Sequence, residues 1–193
     1  MRKKAWKKSG GQIEIVTGMY ILVLLVMLTV MQLQMRIYAT ASYHMEDALA
    51  ASNLASAVID VREYGTSLTI QIESPDTAYG LYREAIRQNL GLDDNWESSN
   101  QNLISGSVEI LEYTIYNVSE NDVTVYDFGE DGSCHSWNVE NGLGSVRAPD
   151  GTLIESTSVY SRIGFIVDGV FGVSVYACKD KTVDIVSNLS EEE

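Results

Sequence analysis

The side chains in this sequence that are best able to take part in a reaction are two cysteines and two histidines. Ser133, Cys134 and His135 bring a thiol beside an imidazole along the chain, the pair of groups that an activated cysteine nucleophile needs. Adjacent residues rarely aim their side chains at each other in that geometry, and a lone histidine such as His44 is usually exposed or hydrogen-bonded. No G-x-S-x-G, phosphate-loop or H-E-x-x-H motif occurs. We therefore predict that the chain is not an enzyme.

Metal and disulfide chemistry rest on the same few residues and on paired carboxylates. Asp93-Asp94 and Glu130-Asp131 offer oxygen ligands, but their spacing does not match a calcium-binding loop. Two cysteines and two histidines are too few for a zinc module, so we expect no metal and no cofactor. A disulfide between Cys134 and Cys178 would close a loop of about 45 residues, worth about 4 kcal/mol in a chain-entropy model. Two buried free thiols are an equal alternative.

The charge distribution points to a membrane span near the N-terminus. The first twelve residues hold five basic residues and no acidic one, whereas the remaining chain has eight basic against 27 acidic residues. Between Glu14 and Arg36 no charge appears, and eleven of these residues are Ile, Leu or Val. A helix of that length reaches about 31 Å, the thickness of a bilayer core. We predict a cytoplasmic basic segment over 1–12 and a transmembrane helix over 13–35, with the acidic bulk outside.

A cleaved signal peptide is the alternative interpretation of this N-terminus. Ala39-Thr40-Ala41 forms an A-x-A site after a basic and an apolar segment. The apolar run is longer than in a signal peptide, and Arg36 separates it from that site. An acidic pI near 4.4 argues against nucleic acid as a partner. The sequence therefore favours an uncleaved, single-pass protein of the cell membrane in contact with the lipid bilayer.

The chain after the span predicts an α+β domain. Residues 36–64 continue as a membrane-proximal helix, whose small residues Ala48, Ser52 and Ala55 allow close approach of a sister subunit or of its own domain. Residues 65–193 form an extracytoplasmic α+β domain in which alternation over 67–72 indicates a strand, and Ser74, Pro75 and Gly91 bound a short helix. Alternation then predicts an antiparallel sheet with strands at 108–118, 123–128, 158–167, 170–178 and 182–186, turns at 119–122, 168–169 and 179–181, and short strands within loops over 129–157.

The N-terminal residues resemble those of a known family. Lys7-Lys8-Ser9-Gly10-Gly11-Gln12-Ile13-Glu14, followed by a long apolar helix, is similar to the N-terminus of the TadE/TadF-like minor pilins (pseudopilins) of tight-adherence, Flp-type pilus systems. The resemblance covers about the first 60 residues and implies a pilin-like fold, a long helix with a β-rich head. It also implies that Gly10 or Gly11 is a processing site for a prepilin peptidase and that Glu14 sets subunit register. Cleavage after Gly10 makes Glu14 the fourth mature residue, and cleavage after Gly11 makes it the third.

The leading hypothesis is a structural role. The chain is expected to be a single-pass, membrane-anchored component of a bacterial tight-adherence pilus or a related secretion apparatus, with other pilin-like subunits or pilus assembly proteins as partners and a head that serves adhesion or docking. The alternative is a membrane-tethered extracytoplasmic module that binds a ligand and has no pilus role, which a concave patch of exposed aromatic side chains would favour. A third hypothesis, an anchored enzyme, has only His135 with Cys134 as its candidate site.

Overall fold

One long helix dominates the N-terminal third of the structure. The computed structural model describes residues 10–59, 64–65, 69–98 and 104–185. Helix α1, Gly10–Ser56, has 47 residues and a length of about 70 Å. The predicted membrane span and the membrane-proximal helix are therefore one continuous element. That element ends at Ser56 and not at residue 64, because Ile59 leaves the helix to form a β-bridge with Ile72.

The second helix, α2, begins and ends where its capping residues predict. It covers Pro75–Leu90, and the side chain of Ser74 accepts a hydrogen bond from the backbone N–H of Thr77. Gly91 ends it in the left-handed conformation, with φ of 61°. The strand predicted just before it is wrong in its described part, because residues 69–71 are not in a strand and Ile72 forms a single bridge; residues 66–68 lie outside the described residues.

The rest of the fold is a five-stranded antiparallel sheet. Its strands are β1 Ser105–Ser119, β2 Asp122–Phe128, β3 Cys134–Val139, β4 Ser158–Asp168 and β5 Ser174–Asp184. They lie in the order β3-β2-β1-β4-β5, and every neighbouring pair is antiparallel. The architecture is therefore α+β, as predicted. We call α2, the sheet and the loops between them the head.

The last hairpin differs from the prediction. The expected turn at 179–181 is wrong, because Lys179 and Lys181 lie within the continuous strand β5 and pair with Ile163 and Ser161 of β4. The expected strand start at residue 170 is also wrong, since Val170–Gly172 forms a 3₁₀ turn. The predicted turn after Asp168 is present, and the 3₁₀ turn Val170–Gly172 extends that turn into a longer hairpin tip.

The core lies between the sheet and the two helices. Tyr82, Tyr113, Phe165, Met45 and Leu49 are among its fully or nearly fully buried side chains. A second, smaller cluster covers the opposite face of the sheet, where the segment 140–157 lays apolar side chains on the strands; its members are Tyr116, Val123, Val125, Ala148, Ile154 and Tyr160. The central strands β1, β2 and β4 therefore contribute buried side chains on both faces of the sheet, and the C-terminal half of α1 packs on one of these faces.

Candidate functional site: the membrane helix and its junction with the head

The N-terminal half of α1 exposes a continuous apolar surface. It is part of the one helix among the described residues that is long and apolar enough to cross a membrane, and none of its most apolar 18-residue stretch is buried. Val16, Leu22 and Met27 are each more than half exposed. The hydroxyl of Thr29 donates to the Leu25 carbonyl oxygen at 2.9 Å, so it needs no water. Because such a surface is unfavourable in water, this half of α1 is suited to anchoring the chain in a lipid bilayer.

The C-terminal half of α1 packs on the chain's own head. Met45 and Leu49 are fully buried, and Ala48 is nearly so. Ser52 is buried against α2, where its hydroxyl oxygen accepts a hydrogen bond from Asn89 Nδ2 at 2.9 Å. Ala55 is exposed. Of the two roles open to the small residues, Ala48 and Ser52 therefore serve packing within the chain.

A buried polar cluster joins α1 to the centre of the sheet. Asn53 Nδ2 donates to the carbonyl oxygen of Lys181 at 3.0 Å and to that of Val159 at 3.4 Å. Its amide oxygen accepts from Ser161 Oγ at 2.7 Å. One turn later, Ser56 Oγ accepts from the Tyr113 hydroxyl at 2.8 Å. Because buried polar groups are costly when unpaired, these contacts define a single position of α1 on β4 and β5.

An ion cluster adds a second link between α1 and β5. Glu46 Oε1 lies 2.9 Å from Lys181 Nζ, and Glu46 Oε2 lies 2.9 Å from Lys179 Nζ. Both lysines are on the same face of β5, because they are two residues apart in a strand. Their hydrogen bonds and charges lower the pKa of the Glu46 carboxyl to about 2. The carboxylate therefore stays ionised, and the cluster is intact at neutral pH.

The tip of the β4–β5 hairpin contacts α1 where the apolar run ends. The backbone N–H of Val170 donates to Gln34 Oε1 at 2.6 Å, and Gln34 Nε2 donates to the Tyr38 hydroxyl. Gly169 leaves room for this approach, because a Cβ at that position would overlap the side-chain amide of Gln34. The head is thereby held against α1 at three levels, at Gln34, at Glu46 and at Asn53.

An open cavity of about 250 Å³ lies on the head away from this junction. Tyr79 and Trp96 contribute aromatic walls, and Arg83 lies over both rings, 5.9 Å and 5.4 Å from their centroids. Glu130 and Asp131 complete a polar rim. The cavity combines apolar faces with both signs of charge, so it has the chemistry to bind a small polar ligand.

The N-terminal site residues lie at the first turns of α1. Gly10 and Gly11 are its first two residues, and the basic residues before them lie outside the described residues. Glu14 is exposed on the second turn, at the start of the apolar surface. A carboxylate at this place is favoured by the helix dipole and is costly in lipid unless it is paired or hydrated.

The cysteines and histidines do not assemble into a site. Cys134 and Cys178 are free and exposed, on β3 and β5 at opposite edges of the sheet. Four strand spacings separate these edges, about 19 Å, so the disulfide is not formed and the thiols of the alternative are exposed rather than buried. Cys134 and His135 are consecutive strand residues whose side chains point to opposite faces, and His44 is exposed on α1. Among the described residues, no three His, Cys, Asp or Glu side chains come together to hold a metal ion.

The comparisons with known proteins add no relative. No family model, no curated protein and no solved structure matches this chain.

Sequence reasoning missed the residues that join helix to head. Asn53 and Ser56 resemble any polar residues of an amphipathic helix, although both lie beside the small-residue strip that was identified. Gln34 carries no signal beyond being a polar residue near the end of an apolar run. The hairpin tip did have a sequence signal, since residues 169–178 contain no charge in a strongly acidic domain.

Proposed function

We propose that this protein is a membrane-anchored, pseudopilin-like structural subunit of a tight-adherence pilus or a related secretion apparatus. It acts by packing its apolar helix against other helices and by presenting a head outside the membrane, and it performs no catalysis. The basic N-terminal segment stays in the cytoplasm under the positive-inside rule. Its partners are the lipid bilayer and other pilin-like subunits or pilus assembly proteins.

The observation that carries this proposal is the division of α1 into two halves. Residues 13–29 are all exposed, whereas residues 41–56 are held by apolar packing, the Asn53 cluster and Glu46. The free half is available to lipid and to neighbouring helices, and the docked half transmits its position to the head. A subunit of a helical assembly needs this combination, because helix packing in the membrane must set the placement of the head outside it.

Glu14 has a specific part in the proposal. It lies at the start of the apolar surface, close behind the two glycines of the N-terminal pattern that this chain resembles, and in this proposal it helps to set the register between subunits. A carboxylate there is stabilised by a positive group of a neighbouring subunit, such as its N-terminal amine. Glu14 therefore favours one axial position of the helix among its neighbours.

The first experiment is deletion of the gene in its native organism, with electron microscopy of surface fibres. We expect fibres to be lost and to return when the wild-type gene is supplied. A Glu14→Gln variant is expected to restore them poorly, whereas the matched Glu155→Gln variant, which removes an exposed carboxylate of the head, is expected to restore them fully. Normal fibres in the deletion strain contradict the proposal.

The intact mass of the protein from native membranes tests how the N-terminus is used. A mature chain that starts at Gly11 or Gln12 indicates cleavage by a prepilin peptidase and supports a polymerising subunit. An intact Met1 indicates a permanently anchored component of the assembly. A chain that starts at Ser42 has lost its span and contradicts the anchored model.

A membrane-tethered ligand-binding module is the second candidate function, and the cavity beside Arg83 is the observation that favours it. Its aromatic walls and charged rim form a concave patch of the kind that this function requires. The test is binding of cell-wall glycans and peptides to the full chain in detergent micelles. Two results together favour this function over the first. The purified protein binds such a ligand and the Arg83→Ala variant does not, and the deletion strain still forms normal fibres.

A further inference from the structure

The hairpin between β4 and β5 carries an apolar patch that the fold does not cover. Phe171 is 85 % exposed, and Val173, Val175 and Tyr176 are each at least 40 % exposed. Residues 169–178 contain no charged residue, although the chain from residue 13 onward has a charge balance of −19. Single exposed apolar side chains are ordinary, but four within six residues of an acidic domain form a patch of the kind that marks an interaction surface.

The patch lies at the level where the membrane span ends. Gln34, which accepts the hydrogen bond from Val170 N–H, is two residues before Arg36, the first charge after the apolar run. At 1.5 Å per residue, the hairpin tip contacts α1 about 3 Å from the end of that run. Arg36 is the first charged residue beyond this point, so the tip is at the boundary between bilayer and water.

An open apolar groove of about 690 Å³ separates the tip from α1. Val26, Val30 and Met31 line it on the helix, and Phe171 and Val173 line it on the hairpin. From Val26 to Gln34 the groove extends about 12 Å down the helix axis, which is nearly half of a bilayer core. Its helix wall is the same surface that faces lipid below the tip, so the groove is continuous with the membrane-facing surface of α1.

The backbone at the tip keeps Phe171 in an unusual state. Phe171 has φ of 61°, a left-handed conformation that bulky side chains rarely adopt, and its ring is the most exposed large apolar side chain of the described residues. A water-facing turn gains nothing from a phenylalanine in this conformation. The residue is favourable there only if its ring enters an apolar or interfacial environment.

We propose that the hairpin tip, residues 169–176, inserts into the interfacial region of the leaflet on the head's side of the membrane and that acyl chains fill the groove. The head then has two membrane contacts, α1 and the tip, which together define its tilt over the bilayer. The occupant is lipid, because the patch is uncharged, lies at the membrane boundary and continues the lipid-facing surface of α1. The inference rests on the membrane span alone and is independent of the pilus assignment.

The test uses the full chain in phosphatidylcholine vesicles, with and without lipid that carries a spin label near the headgroup. Cys134 and Cys178 are replaced by serine, and an environment-sensitive fluorophore is attached to Phe171→Cys or, as a second position, Val173→Cys. Leu33→Cys, exposed in the span and outside the groove, is the positive control, and Glu140→Cys, in the loop at the opposite end of the sheet, is the negative control. Phe171 and Val173 are exposed, so labelling does not disturb the core.

We expect the fluorophore at position 171 to emit at shorter wavelength than at position 140 and to lose fluorescence to the spin-labelled lipid as strongly as at position 33. Emission and quenching equal to those at position 140 overturn the proposal. A shorter-wavelength emission without lipid quenching, which disappears when the protein is diluted into more lipid, also overturns it, because the occupant is then a second copy of the chain. These outcomes do not depend on whether the protein forms fibres.

Discussion

Substitution of Asn53 tests the claim that α1 and the head are one rigid unit. Asn53 is fully buried, and its amide group contacts both β4 and β5. An Asn53→Ala variant loses two bonds to backbone carbonyls and leaves the Ser161 hydroxyl buried without its acceptor. At about 1 kcal/mol for each lost bond and about 1–3 kcal/mol for the orphaned hydroxyl, the expected loss of unfolding free energy is about 3–5 kcal/mol.

An Asn53→Asp variant tests the same hydrogen bonds without changing the volume of the side chain. Its side chain has the same shape and still accepts from Ser161, but it directs an acceptor oxygen at the carbonyls of Val159 and Lys181. Because a buried carboxylate without a partner is strongly disfavoured, this variant is expected to be less stable than the alanine variant at neutral pH. Part of its stability returns on acidification, as burial raises the pKa of such a carboxyl.

The assay is thermal unfolding of the full chain in detergent micelles, followed by near-ultraviolet circular dichroism. The alanine variant is expected to lower the Tm by on the order of 10 °C. The matched control is Asn89→Ala, which removes one bond to Ser52 at an exposed position and is expected to cost about 1 kcal/mol or less. If Asn53→Ala melts with the control, or if Asn53→Asp is as stable as the wild type at neutral pH, the rigid-junction argument is wrong.

Three further predictions use the same preparation. Tyr82→Phe is expected to be close to neutral, because its buried hydroxyl meets only the Ser161 side chain and does so outside good hydrogen-bond geometry, whereas Tyr113→Phe loses a well-formed bond and about 1 kcal/mol; equal effects of the two would contradict this difference. The ionised Glu46 carboxylate stabilises the fold fully above its ordinary pKa of 4.5, and this contribution is lost as the pH falls toward 2. The Tm of Glu46→Gln should therefore fall less than the Tm of the wild type between pH 4.5 and pH 2. An equal fall in both proteins would count against the ion cluster. Cys134 and Cys178 should both react with maleimide without prior reduction, and a disulfide between them within one monomer would show that the sheet order is wrong.

Local patterns carried much of the fold. The uncharged run predicted a span because its length and composition are properties of consecutive residues, and α1 contains it unbroken. Ser74, Pro75 and Gly91 bounded α2 correctly, since capping depends on backbone geometry within one turn. The strand alternation of β1, β2 and β4 was visible because successive side chains of each strand belong to different faces of the sheet; burial alternates along β2, whereas β4 is buried on both faces.

The parts of the fold that were predicted wrongly or only loosely are those where the structure leaves no local pattern in the sequence. Strand β3 was predicted only as a short strand within 129–157, because this exposed edge has no buried face and therefore no alternation that would fix its bounds. The lysines of β5 resemble a polar turn, because the acidic partner that allows them to lie inside a strand is 133 to 135 residues away on α1. The end of α1 was placed too late, since its sequence remains helical in character while Ile59 is drawn to Ile72.

The functional features also fall into those that depend on neighbours along the chain and those that depend on contacts between distant segments. By itself the sequence determined that the chain has one apolar helix suited to a membrane, a basic N-terminal flank, an acidic α+β head and a glutamate at the start of the apolar run, because each depends on neighbours along the chain. Only the tertiary structure decided that Asn53 joins the helix to two strands, that the cysteines lie at opposite edges, and that an uncharged hairpin tip reaches Gln34 across 136 residues. These contacts are selected by packing between distant segments, which local propensity and spacing do not encode.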